Sequence, residues 1–332
     1  SLFFPGKTQL DPGLPLFQHR TSALIDSINP LTWRRAGRSI AQHKPDVVIF
    51  RYWMPFFAPA YGTMARIIKK HSNARIIFVC DNVLPHERHV GDIQLTKFAF
   101  APVDGFVVLS GAVERELRSL IPAARILNTP HPLYDVFGEP IPREAAQQFL
   151  GVTGRRVLLF FGYVRAYKGL DVLLEAMPAI LKKVDATLVV AGEFYEDEEK
   201  YRQQIRRLQL EERVKVFSDY VPNQDIAKFF CASDAVVLPY RSATQSGIVQ
   251  VAYHFNVPVI ATNVGALSEV VVEGRTGFLV PPEDPQLLAN AVVRLYEEHC
   301  REKFSDAIVE EKKKYSWEFF VSRLQQFWNE LH

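Results

Sequence analysis

Apolar residues in this chain fall into two rhythms. Short continuous runs rich in β-branched and aromatic residues occur at 47–50, 75–80, 105–109, 157–161, 187–191, 214–217, 235–238 and 258–261, separated by longer stretches with helical spacing. Runs that do not alternate with polar residues suit strands covered on both faces, and strand and helix in turn suit βαβ units with a parallel sheet. The pattern predicts an α/β fold. Near the end, residues 315–331 are spaced as an amphipathic helix with Trp317, Phe320, Val321, Leu324, Phe327 and Trp328 on one side, a face that needs a large partner. Four prolines between Pro130 and Pro142 deny a long helix or a central strand and mark a linker. The expected organisation is a first domain over 1–140, a second over 141–314, and a terminal helix over 315–332. Residues 1–20 hold three prolines, two glycines and no strand run, and about four strands precede the linker against five after it. A doubly wound domain normally opens on a strand and a glycine-bearing turn. The first domain is therefore expected to lack its first strand, with roughly 30–40 further residues, one βα unit and a second strand, ahead of Ser1.

Composition narrows the class. The 332 residues are 48% hydrophobic and 23% charged, ordinary values for a globular protein, which removes disordered, collagenous and disulfide-scaffold readings. No run of apolar residues reaches membrane-spanning length, and the opening residues carry no signal-peptide pattern. Cys80, Cys231 and Cys300 lie far apart with no CxxC, as expected for reduced thiols in a cytoplasmic setting. A net charge of +2 gives nucleic-acid binding no support. The charge is uneven: residues 1–150 carry 17 Lys and Arg against 12 Asp and Glu. A mildly basic first half suits an anionic membrane surface or a phosphorylated acceptor, and equally an ordinary scatter of surface charge.

Candidate chemistry gathers at strand ends in the second half. The run at 157–161 ends in Gly162 and continues through Arg165, Lys168 and Gly169; a strand-end glycine lets backbone approach a ligand, and two cations beside it suit a diphosphate. Two solvated basic side chains are the alternative. Gly192 again follows a strand, Ser218 to Pro222 precede a helix with Asn223 as the expected N-cap, and the polar loop Tyr240 to Gly247 opens a helix over 248–255. A helix opened by such a loop offers free N–H groups to an anion. No GxGxxG follows a strand and no Asp-x-Asp occurs, against a dinucleotide oxidoreductase and a metal-dependent transferase of the other glycosyltransferase fold.

The order of these motifs resembles the nucleotide-sugar glycosyltransferases of the GT-B fold, specifically the retaining glycosyltransferase family 4. The resemblance runs over about 157–295 and rests on the Phe-Gly-x5-Lys-Gly loop at 161–169 and the Leu-Leu-Glu-Ala helix. It continues through Ala191-Gly192, Ala232-Ser233-Asp234, Pro258 to Thr262, Gly265 to Val270, Gly274 to Pro282 and Asp284-Pro285. In the first half it is thinner, at Asp81 to Glu87 and Asp104 to Ser110. It implies two Rossmann-like domains facing across a cleft, with the final helix crossing back to the first domain, the nucleotide-sugar held by the second and the acceptor by the first. The implied activity is transfer of a sugar from a nucleoside-diphosphate sugar to a hydroxyl acceptor, a hexosyl- or glycosyltransferase of the EC 2.4 class, with retention and without a metal or other cofactor. A catalytically degenerate binding or partner protein on the same fold is the alternative. The implied catalytic residues are His86, Arg165 and Lys168. The implied donor-binding residues are Gly162, Arg165, Lys168, Gly192, Tyr220, Val221, Thr244, Gln245, Ser246 and Gly247. The partners are the nucleotide-sugar and a saccharide or lipid-linked acceptor, with no nucleic acid and with peripheral membrane contact through the first domain as a further option; the location is cytoplasmic.

The chain departs from that family in two places. The family's arginine more often stands directly after the glycine, where this chain has Tyr163, and Arg165 lies two positions on. Its paired glutamates fall on Ala243 and Val251, with Gln250 as a neutral stand-in. His86-Glu87-Arg88-His89 is not a HExxH zinc motif, because the second histidine falls at i+3. The aromatic stretch from Tyr52 to Tyr61 reads first as core, and otherwise as a stacking surface for an acceptor sugar.

Overall fold

The computed structural model describes residues 22–85, 89–133, 137–243 and 246–331. Two compact units divide the chain: the second is Pro132–Tyr315, and the described part of the first is residues 22–131 with 316–331. The division thus falls at Pro132, inside the proline-rich stretch and ahead of the expected residue 140. The first unit contains a parallel sheet of β1 (Val47–Tyr52), β2 (Arg75–Cys80), β3 (Gly105–Val108) and β4 (Ile126–Asn128), paired in that order. Strands β1 to β3 follow the apolar runs. The three-residue β4 completes the four strands expected before the linker but matches none of the apolar runs, since Ile126-Leu127-Asn128 is too short to stand out from helical spacing.

The sheet of the first unit is covered on both sides. Phe50, Tyr52, Ile76, Phe78, Cys80, Phe106 and Val108 face one cluster, and Ile77, Val107 and Leu127 face the other, as the strand period of two requires. The second face is closed by the C-terminal helix (Trp317–Glu330), whose Phe320 and Phe327 pack with Leu331 against those strand residues. Ser316 caps that helix, its Oγ accepting the Phe319 N–H at 3.1 Å. Gly105 makes the close approach feasible: a Cβ there would sit 2.8 Å from Leu331 and Phe327. Trp317 and Val321, expected on the packing face, are exposed instead, because the sheet covers only the stripe around Phe320, Leu324, Phe327 and Trp328. Strand β1 lies at the edge of the sheet among the described residues, with Ile49 and Arg51 exposed.

The second unit is a six-stranded parallel sheet in the order β10-β9-β8-β5-β6-β7, formed by β5 (Arg156–Phe161), β6 (Ala186–Ala191), β7 (Val214–Phe217), β8 (Ala235–Leu238), β9 (Val259–Thr262) and β10 (Gly277–Val280). One more strand is present than the five expected; β10 lies within the Gly-Phe-Leu-Val motif. Val157 through Phe161 are all buried, alternate residues entering two different cores, which is why the run is continuously apolar. Chain order reverses between β5 and β8, so the sheet has a topological switch point there. In open α/β sheets that is where the carboxyl ends of the strands leave a crevice.

Candidate functional site

The crevice is occupied by a cavity of about 280 Å³ whose walls come from four strand ends and from Phe137 of the proline-rich stretch. Phe161, Gly162, Tyr163 and Lys168 follow β5, Gly192 and Glu193 follow β6, Tyr220, Val221, Asn223 and Ile226 follow β7, and Gly247, Ile248 and Val251 belong to the helix after β8, Gly247–His254. Gly162 and Gly192 form its floor. Both have positive φ, +96° and +141°, and a Cβ on Gly192 would come within 2.3 Å of the Gly162 carbonyl oxygen. On Gly162 it would press on Lys168 Nζ at 3.2 Å and Ile248 at 3.3 Å. Side chains there would fill the space between backbone and cation that a phosphate needs.

Lys168 is the cation of this cavity, whose wall also holds the buried carboxylate of Glu193. It ends the 3₁₀ turn Ala166–Lys168, with its Nζ 5.7 Å from the centre of the Tyr240 ring. Burial pushes its ammonium down to about 8, and the positive charge of Arg165 adds to the depression. No carboxylate counters it among the charges that act on it. A buried cation facing a glycine-floored cavity is arranged for an anion that arrives from outside.

Arg241 ties the two loops that hold this cation. Its guanidinium donates to Asp171 Oδ1 at 2.9 Å and Oδ2 at 2.7 Å, to Glu283 Oε1 at 3.0 Å and to the Ala166 carbonyl at 2.6 Å. Its own N–H donates to the Tyr167 carbonyl at 2.7 Å. Planar bidentate pairing of this kind fixes geometry as well as charge. The turn carrying Lys168 is thereby clamped to the loop that leads into Gly247. Sequence reasoning passed over Arg241, and over Glu193, Asn223, Ile248 and Val251 as cavity walls, because one arginine in a polar loop shows no partner until β5 and β8 lie side by side.

Of the residues expected at the donor site, Gly162, Lys168, Gly192, Tyr220, Val221 and Gly247 share this cavity. Arg165 is not among its walls; its guanidinium lies 4.6 Å over the Tyr195 ring. Ser246 is the residue before the helix, its Oγ 3.5 Å from the Tyr240 hydroxyl rather than capping the helix. Asn223 likewise fails as an N-cap: it opens a 3₁₀ turn, and the α-helix starts at Ile226 after Asp225. Val251, at one of the two glutamate positions, walls the cavity, while Ala243 packs against the core and Gln250 is buried without reaching the walls. His86, Thr244 and Gln245 lie outside the described residues. His89 is described, exposed, its backbone N–H bonded to Asp92 at 2.7 Å.

The first unit has a second concavity, of about 480 Å³, at the carboxyl ends of β1 and β2, lined by Arg51, Trp53, Tyr61, Asp81 and Asn82. Arg51 grips Asp81 in a fork, Nε to Oδ2 at 2.7 Å and Nη2 to Oδ1 at 3.1 Å. Trp53 is 41% exposed there. The aromatic stretch is thus divided: Tyr52 is fully buried, its hydroxyl paired with Thr96 at 2.9 Å, whereas Trp53 offers its ring to solvent.

A model of the glycosyl transferases group 1 family matches residues 155–298. The chain is similar to the D-inositol 3-phosphate glycosyltransferase of Corynebacterium diphtheriae, with 27% identity over 195 residues, 56% of this chain and 45% of that protein. The chain spans about half the length of the first curated relatives it matches. Among solved structures, sucrose-phosphate synthase from Thermosynechococcus elongatus superposes with a TM-score of 0.74 at 20% identity, covering 91% of this chain and 77% of that one. Anabaena Alr3699/HepE in complex with UDP superposes with a TM-score of 0.73 at 20% identity, covering 93% and 84%. The fold is the GT-B type, built from two parallel α/β units.

Proposed function

We propose that this protein transfers a sugar from a nucleoside-diphosphate sugar to a hydroxyl acceptor, with retention at the anomeric carbon. The observation that carries the reading is the buried ammonium of Lys168 over the glycine floor at the switch point. The diphosphate lies along Gly162 and Gly192 and against the start of the helix at Gly247, whose free N–H groups and dipole favour a negative group. Lys168 neutralises the charge that grows on the leaving diphosphate as the anomeric C–O bond breaks, and Arg165 adds positive potential from beside it. Charge neutralisation by two side chains asks for no metal or other cofactor. The acceptor oxygen forms the new bond on the same face, and its proton passes to the departing phosphate oxygen. His86 serves the sugar or the acceptor. The acceptor is a saccharide, free or lipid-linked, held by the Trp53, Arg51 and Asp81 concavity: an indole face suits the C–H face of a pyranose, and the carboxylate and guanidinium suit its hydroxyls. The proposed location is cytoplasmic, and nucleic acid is not a partner.

The test incubates the chain with UDP-, GDP- and ADP-sugars and follows release of the nucleoside diphosphate and the anomeric configuration of any product by NMR. Turnover that falls in Lys168→Ala supports the reading. Binding of a nucleoside diphosphate with no release from any donor points instead to a non-catalytic binding protein.

A further inference from the structure

Two charged side chains line the cavity of the second unit among the described residues, and the transfer reaction uses one of them. Lys168 follows β5; Glu193 follows β6, the neighbouring strand, and is 8% exposed. Backbone alternation fixes where Glu193 points. The pairing of β5 with β6 continues past the strands through Val164 and Phe194: the Val164 N–H donates to the Glu193 carbonyl at 2.9 Å, and the Tyr195 N–H donates to the Val164 carbonyl at 3.1 Å. Val164 is fully buried in the core on one side of the sheet, and Phe194 packs against the same core. Successive side chains in extended chain point to opposite faces, so Tyr163 and Glu193 turn together to the other side, where both line the cavity.

The strand order β8-β5-β6-β7 sets the walls of the cavity in a row. Gly247 and Lys168, after β8 and β5, form its cationic end, and Glu193 comes next at β6. Tyr220, Val221 and Ile226, after β7, form an apolar slot with Phe137. Adjacent strands lie about 4.8 Å apart, and the phosphate, ribose and base of a nucleotide follow one another in steps of the same order. With the diphosphate against Lys168, the base falls in the slot and the ribose falls at Glu193. Hydrogen-bond chemistry agrees. An ionised carboxylate only accepts, and its two oxygens suit two adjacent hydroxyls, the 2′-OH and 3′-OH of a ribose. In dinucleotide-binding sheets an acidic side chain holds the ribose 2′-OH while a glycine-bearing turn receives the phosphates; Gly162 and Glu193, at the ends of neighbouring strands, stand where those two tasks divide. Val251 on the helix after β8 is apolar, so Glu193 is the one carboxylate that lines the cavity among the described residues. No carboxylate acts on Lys168, which keeps Glu193 clear of the phosphate end.

We infer that Glu193 holds the ribose of the bound nucleotide, its carboxylate accepting the 2′- and 3′-hydroxyls, and thereby selects ribonucleotides over deoxyribonucleotides. The inference rests on the nucleotide reading of this cavity and adds to it the group that recognises the sugar of the nucleoside.

Titration calorimetry of the full chain with UDP, GDP and ADP and with their 2′-deoxy counterparts tests it. The ribonucleotide that binds should do so roughly tenfold or more tightly than its deoxy counterpart, the value of a hydrogen bond to a charged acceptor. In Glu193→Gln, with the melting temperature as a check on folding, the gap should shrink to about two- to threefold, through loss of ribonucleotide affinity with little change for the deoxynucleotide. Should that variant not fold, Glu193→Asp, which withdraws the carboxylate by one methylene, is read in its place. Equal affinity of the unaltered protein for the two forms overturns the inference. A gap that persists undiminished in the folded variant overturns it too and assigns the hydroxyls to another group. A variant that changes the preference among uracil, guanine and adenine while keeping the gap places the carboxylate on the base instead, and one that affects only nucleotide-sugars places it on the transferred sugar. Failure of every nucleoside diphosphate to bind is a different result, which removes the nucleotide reading itself and the inference with it.

Discussion

At the residue scale, one side chain sets the response of the second unit's cavity to pH. Lys168 is held at about 8, below the ordinary lysine value of 10.5, so between those values the unfolded chain holds a proton that the folded chain has lost. The stability of the free protein should accordingly rise as pH increases through that interval, and Lys168→Met should flatten the rise. Nucleotide binding should show the opposite trend. The ammonium is the form that meets a phosphate, so affinity for UDP or GDP should decline above pH 8, and binding at pH 8.5 should take up a proton. Calorimetry in buffers of different ionisation enthalpy reads that uptake directly; an identical heat in all of them would remove Lys168 from contact with the phosphate. Lys168→Ala should weaken nucleotide binding by roughly ten- to a hundredfold, the value of a charge-assisted contact.

Among the elements, the C-terminal helix shows how unevenly one amphipathic stretch can contribute. Phe327 is buried against Gly105 and the faces of β2 and β3, whereas Trp317 stands in solvent. Truncating the first should cost about 3–5 kcal/mol, the usual value for emptying a buried aromatic site. Trp317→Ala should fall within about 0.5 kcal/mol of the parent. Urea unfolding of the two variants compares them, and equal losses would mean that the helix is held by its whole apolar side. Gly192→Ala is the corresponding change in the second unit. A methyl group aimed at the Gly162 carbonyl from 2.3 Å away should displace the floor and weaken nucleotide binding even where the unit still folds.

Across the whole molecule, the donor reading predicts a pattern of protection that no single segment of sequence defines. Besides Phe137, four stretches widely separated in the chain converge on the cavity: around 161–168, 192–193, 220–226 and 247–251. Hydrogen exchange with and without UDP or GDP should slow at all four together, and the concavity formed by Arg51, Trp53 and Asp81 should be unaffected by nucleotide alone. Protection confined to one of the four would show that the ligand lies elsewhere.

Much of this protein is determined by local sequence. Apolar runs mark eight strands of the two sheets almost residue by residue, and glycines at strand ends mark Gly162 and Gly192, because backbone sterics act within a few residues. Lys168 was legible for the same reason, three residues from a cation and one from a glycine. Order along the chain even conveyed the family, since the motifs of residues 155–298 are spaced by the elements between them. Tertiary structure alone decided what depends on neighbours distant in sequence. The crevice exists because β5 and β8, some seventy-five residues apart, are adjacent in the sheet, and Arg241 becomes a clamp only when that pairing brings Asp171 to it. Arg165 and Lys168 read alike in sequence, yet packing turned one into the cavity and laid the other on Tyr195. Trp317 and Phe327 have the same periodicity, and only the extent of the sheet beneath them separates a solvent-exposed ring from a core residue. Periodicity reports which side of an element is apolar; the area of the partner decides how much of that side is buried.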